Sequence, residues 1–314
     1  MSKRNTIIKE VQNRKLFPED EASISDLGLY PDVEDPNFIS KLLKKAEFAD
    51  TYSPPLSSSD DPCKAETEFE VTPVQRFIAN FLHPRTPYMS ALLYHGVGVG
   101  KTCAAIQTAE AYLDIYPRRK IMIVAPPTIQ AGFYRTIFDS ENLRIGVGES
   151  PNRISGCTGD TYLRITGLVH ERNKDIIEKD IRKAIKSRYE FYGYLQFRNH
   201  IRNILKKVSR HGTDEEIRFR EIEALKKEFN YRLLVIDEAH NLRDVSSTII
   251  LEEEDETDTV GTQEEKEEVK AGKLLTPFLN YLLESTDGMK LLLMTATPMF
   301  NTSLEIVHII NLLL

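Results

Sequence analysis

The sequence predicts an α/β protein: an open, mostly parallel sheet with helices on both faces. Three observations carry that expectation. Four short, continuous apolar runs, Ala91 to Tyr94, Ile121 to Ala125, Leu233 to Ile236 and Leu291 to Met294, have the composition of strands buried on both faces. Between the first two, Ala105, Ile106, Ala109, Tyr112 and Leu113 share one face of a helix, so the local unit is strand, helix, strand. The first run also empties into a glycine-rich turn, and sheets of this kind hold their ligands at the carboxyl ends of the strands.

Composition bounds the rest. With 314 residues, 41% hydrophobic and 28% charged, the chain is long enough for one large domain with a tail or two small ones. A net charge of -7 argues against a generally basic protein that coats nucleic acid and leaves a local basic groove open. The three cysteines, Cys63, Cys103 and Cys157, are odd in number and far apart, so neither a disulfide framework nor a zinc site is expected, and a reducing compartment is. No structural metal is expected. No apolar run approaches the ~20 residues of a membrane span, so the expectation is a soluble, unsecreted, intracellular protein with no membrane partner.

Along the chain, residues 1–66 carry Pro18, Pro31, Pro36, Pro54, Pro55 and a Ser57 to Pro62 turn cluster. They read as a partly disordered amino-terminal extension with an ordered piece around Phe38 to Phe48, where Ile39, Leu42, Leu43 and Ala46 recur at helical spacing. Residues 67–314 read as one lobe with two interruptions. At about 170–230 the pattern is that of a helical insert, with Ile176, Ile177, Ile181, Ala184 and Ile185 on one face and Phe197, Ile201, Ile204, Leu205 and Val208 on another. Its Lys and Arg residues fit either a solvated surface or phosphate contacts. At about 252–273 the run Glu252 to Glu256 and the pair Glu264-Glu265 suggest a mobile acidic loop.

The chemistry concentrates in three places. The first strand runs into His95-Gly96-Val97-Gly98-Val99-Gly100-Lys101-Thr102 and then the amphipathic helix, which is a phosphate-binding loop in its proper setting. Gly96, Gly98 and Gly100 let backbone N–H groups turn toward an anion, Lys101 can reach the β- and γ-phosphates of ATP, and the Thr102 hydroxyl can ligate Mg²⁺. His95 stands where the strict pattern has glycine, so the motif is a variant. The run Leu233 to Ile236 ends in Asp237-Glu238-Ala239-His240; Asp237 is the candidate Mg²⁺ carboxylate and Glu238 the group that orients or deprotonates the attacking water. After the fourth run comes Thr295-Ala296-Thr297-Pro298.

In that order, the three elements resemble motifs I, II and III of superfamily 2 helicases and translocases. The resemblance implies a RecA-like lobe in which His240, Thr295 and Thr297 couple ATP hydrolysis to nucleic-acid movement. Thr72-Pro73-Val74-Gln75 resembles the Q motif, which makes Gln75 a candidate reader of adenine or else an ordinary amide. Ala125-Pro126-Pro127-Thr128 matches the place of motif Ia, with Pro127 and Thr128 as candidate nucleic-acid contacts and Thr128 as the helix cap. The wording Leu92 to Cys103 and Leu291 to Asn301 is similar to the helicase group of nucleocytoplasmic large DNA viruses, which includes the small subunit of the poxvirus early transcription factor. Gly156 to Asp160 and Tyr189 to Tyr194 also look like segments of that group, or else a turn and a packed aromatic cluster.

From this resemblance follow expectations for the whole molecule: an ATP-dependent translocase or helicase, a nucleic-acid track that is duplex DNA, a second transcription-factor subunit and a viral RNA polymerase as partners, and a place in the virion and host cytoplasm. Two other readings stay open, a restriction- or remodelling-type motor and a nucleotide-binding scaffold that recruits polymerase. Such motors hydrolyse ATP between two lobes, the second bringing an arginine finger worth ~10³ to 10⁵ in rate. Thr302 and Glu305 read as a capping box opening a helix that runs apolar to Leu314, so the chain is expected to be the amino-terminal piece of a longer protein.

Overall fold

The computed structural model describes residues 30–52, 69–96, 98, 100–242, 263–297 and 304–313. Its centre is a five-stranded parallel sheet of β1 (Ser90–Tyr94), β2 (Ile121–Val124), β5 (Tyr189–Tyr192), β6 (Leu233–Ile236) and β7 (Lys290–Thr295), in the order β1-β7-β6-β2-β5. A separate pair of two-residue strands, β3 (Leu143–Arg144) and β4 (Arg153–Ile154), is antiparallel. The helices are α1 (Phe38–Leu42), α2 (Ala46–Ala49), α3 (Pro73–Phe81), α4 (Lys101–Ile115), α5 (Pro127–Ile137), α6 (Thr161–Thr166), α7 (Lys174–Arg188), α8 (Tyr194–Lys206), α9 (Asp214–Phe229), α10 (Gln263–Ser285) and α11 (Leu304–Leu313).

The strand period of two sorts the apolar runs between two cores. Ile121, Ile123, Leu233, Val235, Leu292 and Met294 pack on one face, with the buried stripe of α4 (Ala105, Ile106, Ala109, Tyr112, Leu113) and with Ile177, Ile181 and Ile185 of α7. Met122, Val124, Leu234, Ile236, Leu291 and Leu293 pack on the other, against α8, α9, α10 and α11. All four expected strands are present; β2, β6 and β7 are buried throughout, which is why they read as unbroken apolar runs, while β1, at the sheet edge, is only partly buried.

Two stretches depart from the expectation. The supposed helical insert does hold three helices, but between α7 and α8 the chain re-enters the sheet as β5, paired in parallel with β2 from Ile121↔Tyr189 to Val124↔Tyr192. An edge strand needs only one well-buried side, so Tyr189-Glu190-Phe191-Tyr192 lacks the apolar run that marks a central strand. Nor is the second stretch a loop throughout: α10 begins at Gln263, so residues 263–273 are helical, while residues 252–262 lie outside the described residues. Glutamates suit the first turns of a helix, where the dipole is positive, and the apolar residues that dock it come later, at Ala271, Leu275, Leu279 and Leu282. Gly272 is required there, since a Cβ would stand 2.2 Å from the Asn241 carbonyl.

The ordered piece expected in the extension is there. Leu42 and Phe48 are fully buried beside Tyr88, and Phe38 sets its ring edge-on to Phe81 and Tyr88, so α1 and α2 are docked on the lobe. Thr302, half of the expected capping box, lies outside the described residues; α11 begins at Leu304. The cysteine expectation fails: Cys103 and Cys157 form a disulfide across 54 residues of sequence, with Cα atoms 5.7 Å apart. Cysteine count and spacing carry no information about which segments the fold apposes, and here the first turn of α4 meets the loop before α6.

Candidate functional site

The glycine loop is built on a left-handed backbone that glycine adopts without strain and other residues do not. Gly98 and Gly100 have φ of +81° and +87°, and a side chain at Gly100 would also place its Cβ 2.6 Å from Gln75 Nε2. At Gly96 and Gly98 a Cβ would meet nothing within 4 Å, so the space above the loop is open. Gly100 is the N-cap of α4, and Lys101 and Thr102 are its first residues, which aims the positive end of a fifteen-residue helix at that space. Lys101 Nζ donates to the carbonyls of His95 at 2.8 Å and Gly96 at 3.2 Å, holding its charge over the loop.

Gln75 supports this loop from behind. Its Oε1 accepts from Thr72 N at 2.9 Å, completing a capping box on α3, and its Nε2 donates to Gly100 O at 3.2 Å. With 6% of its surface exposed, the side chain the sequence offered to adenine is engaged at both ends. The residue that reaches the cavity is Phe69, which is 46% exposed. The sequence reading places Phe69 within the lobe without assigning it a role; a lone aromatic just ahead of a capping box is the available signal.

The acidic turn stands two strands away. Asp237 follows β6, is 5% exposed, and its N–H donates to Val124 O at 2.9 Å. Glu238 has φ of +49°, a left-handed conformation costing a non-glycine residue about 1–2 kcal/mol, and its N–H donates to Asp237 Oδ1 at 2.9 Å. Burial pushes the Asp237 carboxyl up to about 6, the Glu238 charge adds to that, and Lys101 pulls it back. Burial also raises Glu238, again opposed by Lys101. Lys101, Thr102, Asp237 and Glu238 thus line one cavity of about 640 Å³, with Gly98 and Gly100. The Cys103–Cys157 disulfide lines it too, a feature unseen in the sequence.

His240 and the two threonines also meet. His240 Nδ1 is 3.0 Å from Thr295 Oγ1, 3.4 Å from Thr297 Oγ1 and 3.2 Å from Glu238 Oε2. Thr297 N donates to Thr295 Oγ1 at 3.1 Å, which closes the turn after β7. Pro127 and Thr128 stand apart, exposed at the start of α5. Thr128 does not cap that helix: the N-cap is Pro126, which offers no side-chain acceptor, and Thr128 lies one residue inside. The proline pair sets the chain direction that Thr128 was expected to set.

This geometry suits a nucleotide triphosphate with a divalent cation: open glycine backbone at a helix N-terminus, one ammonium, one hydroxyl and two carboxylates around a single cavity. Comparison with known proteins agrees. The family model described as type III restriction enzyme, res subunit, matches residues 69–300. A protein of Acanthamoeba polyphaga mimivirus that bears the name of an ATP-dependent RNA helicase is 27% identical over 90% of this chain and 39% of its own length. One named as a helicase in Invertebrate iridescent virus 3 is 27% identical over 92% of this chain and 24% of its own. The early transcription factor large subunit homolog of African swine fever virus is 23% identical over 90% and 30%. The chain therefore spans only 24% to 39% of the length of these relatives. With 69–300 matched in one stretch, around a RecA-like α/β sheet, the chain belongs to the type III restriction enzyme res-subunit family.

Proposed function

We propose that the chain is the first motor lobe of an ATP-dependent translocase or helicase that acts on duplex DNA in viral early transcription. The observation that carries the ATP part is the meeting of Lys101 with Asp237 and Glu238 in one cavity whose other wall is the glycine loop. Support for the transcription part comes from the name of the swine fever virus relative, and the names of the mimivirus relatives keep RNA open as the track.

On this reading the loop amides and Lys101 hold the β- and γ-phosphates, Phe69 borders the adenine, and Gln75 braces the loop from behind. Thr102 and Asp237 hold Mg²⁺, which when bound neutralises charge on the phosphate oxygens. Glu238 orients the water that attacks the γ-phosphorus and takes its proton, as the bond to the β-phosphate oxygen breaks. His240 lies between Glu238 and the threonines of the third motif, so the state of the carboxylate is passed to β7. Pro127 and Thr128 touch the track backbone. An arginine finger from a second lobe, with a second transcription-factor subunit and RNA polymerase, completes the assembly in the virion and host cytoplasm.

The test is binding of Mg-ATP to the 314-residue chain, with hydrolysis measured in parallel. The expected result is weak binding abolished by Lys101→Ala, with very slow turnover. Binding that survives Lys101→Ala would end the nucleotide reading. The rival reading, a scaffold that holds nucleotide without using it, is separated by Glu238→Gln in the natural protein: unchanged promoter-dependent transcription favours the scaffold.

A further inference from the structure

Tyr194 belongs to none of the three motifs, yet its hydroxyl sits inside the acidic turn. The residue is 2% exposed and opens α8 just after the edge strand β5. Its Oη donates to the Asp237 carbonyl at 2.6 Å, has the Glu238 carbonyl at 3.1 Å, and accepts from Asn241 Nδ2 at 3.4 Å. One oxygen from a distant segment therefore ties both ends of the turn that runs from residue 237 to 241.

We propose that Tyr194 is a positioning residue for the metal-binding turn: its hydroxyl fixes the Asp237–Glu238 peptide so that both carboxylates face the nucleotide cavity. The proposal rests on reading that cavity as a site for Mg-nucleotide. The left-handed backbone at Glu238 is disfavoured for a residue with a side chain, so neighbours must hold it. Carbonyls 237 and 238 are the two that the turn brings together, and Tyr194 supplies a donor to them from the far side of β2. Without that donor the Asp237 carbonyl loses its 2.6 Å partner, while the Glu238 carbonyl keeps the N–H of Asn241, and rotating the peptide between Asp237 and Glu238 is the direct relief. Such a rotation moves both carboxylates while leaving the glycine loop, on the opposite wall, in place.

The ring and the hydroxyl have separable duties. The ring packs in the core with Phe197 and Leu225, which Tyr194→Phe preserves. The hydroxyl bonds described above all lie on the turn, so its loss is expected to show where the metal is held. The experiment measures the affinity of AMP-PNP for the 314-residue chain in Mg²⁺ and in EDTA, together with the melting temperature. Wild type, Tyr194→Phe and Asp237→Asn are compared.

The expected result for Tyr194→Phe is unchanged affinity in EDTA and a Mg²⁺-dependent gain reduced about five- to tenfold, the worth of one well-placed hydrogen bond. Asp237→Asn should lose the gain altogether. If Asp237→Asn loses it and Tyr194→Phe keeps it, the positioning role is overturned and the site reading stands. If Asp237→Asn keeps the gain, the site reading itself fails. A Tyr194→Phe variant that weakens both affinities equally, or no longer folds, also overturns the proposal, because the hydroxyl would then serve the fold and not the turn.

Discussion

His240 Nδ1 lies 3.0 Å from the hydroxyl of Thr295, a residue fully buried at the end of the strand that separates the glycine loop from the acidic turn. The imidazole also stands 3.2 Å from Glu238, so a single ring touches the candidate water-activating carboxylate and the third motif. Thr295→Val keeps the shape and removes the hydroxyl. The expectation is little change in Mg-nucleotide affinity, a stability loss of about 1 kcal/mol, and in the natural protein a loss of nucleic-acid-stimulated over basal ATP hydrolysis. Stimulation that survives at its full extent would show that the contact does not couple anything.

Asp237 gives a pH dependence of known sign. Its folded value, about 6, lies above the ordinary 3.8, so the folded protein binds the proton more tightly. The associated stability is complete below pH 3.8 and is lost as pH rises through about 6, roughly 3 kcal/mol in all. Asp237→Asn, which keeps the acceptor for Glu238 N–H, is expected to raise the melting temperature at pH 7.5 by several degrees and to change it little at pH 4. Mg²⁺-dependent nucleotide binding in the wild type should strengthen through pH 6, as the carboxylate becomes free for the cation. Thermal melts and a binding titration across pH 4–8 check both.

Gly100→Ala combines a left-handed φ of +87° with a Cβ that would press on Gln75 Nε2. The amide is flexible and can retreat, but only by giving up its bond to the Gly100 carbonyl. A loss of about 2 kcal/mol in stability is expected, with nucleotide affinity falling at least tenfold; urea unfolding and nucleotide titration provide the two readings.

Reduction of the Cys103–Cys157 disulfide should be felt through the loop it closes. A crosslink across 54 residues removes about 4 kcal/mol of chain entropy from the unfolded state in the simple loop-closure model. Cys157→Ser is expected to lower the melting temperature under non-reducing conditions and to leave it unaffected by added thiol. A melting temperature that thiol does not change in the wild type would show that the two sulfurs are not joined in solution.

Lys290 is buried, and its Nζ reaches four acceptors: His83 O at 2.6 Å, Thr86 O at 3.0 Å, Thr86 Oγ1 at 3.1 Å and Tyr88 O at 2.9 Å. It gathers the segment between α3 and β1. Lys290→Met is expected to cost about 3 kcal/mol, because the carbonyls lose their donor in a place water does not reach; chemical denaturation measures it.

The parts of this molecule that could be read in advance are those fixed by local chemistry. Central strands such as Ile121–Val124 must be apolar on both faces, and a glycine loop between strand and helix is needed wherever backbone amides face phosphate. His240, Thr295 and Thr297 were identified through the order of their motifs, and the fold brings them within 3.4 Å of one another. What escaped was decided by tertiary placement. β5 is amphipathic because it is an edge, Tyr194 matters because α8 begins beside another strand's carboxyl end, and Cys103 meets Cys157 only once the loop before α6 has folded onto α4. Gln75 was recognised as a candidate site residue, but its partners, Thr72 and Gly100, belong to the scaffold of the loop.

The strand order has a mechanical corollary. Because β7 lies between β1 and β6, the strand end that leads into the glycine loop and the one that leads into Asp237 are two strand spacings apart, roughly 9.5 Å. The same strand ends in Thr295, whose hydroxyl lies 3.0 Å from His240 Nδ1, so the strand between the two motifs also bears the third. On the proposed reading, a change at Glu238 has one imidazole to cross before it reaches β7.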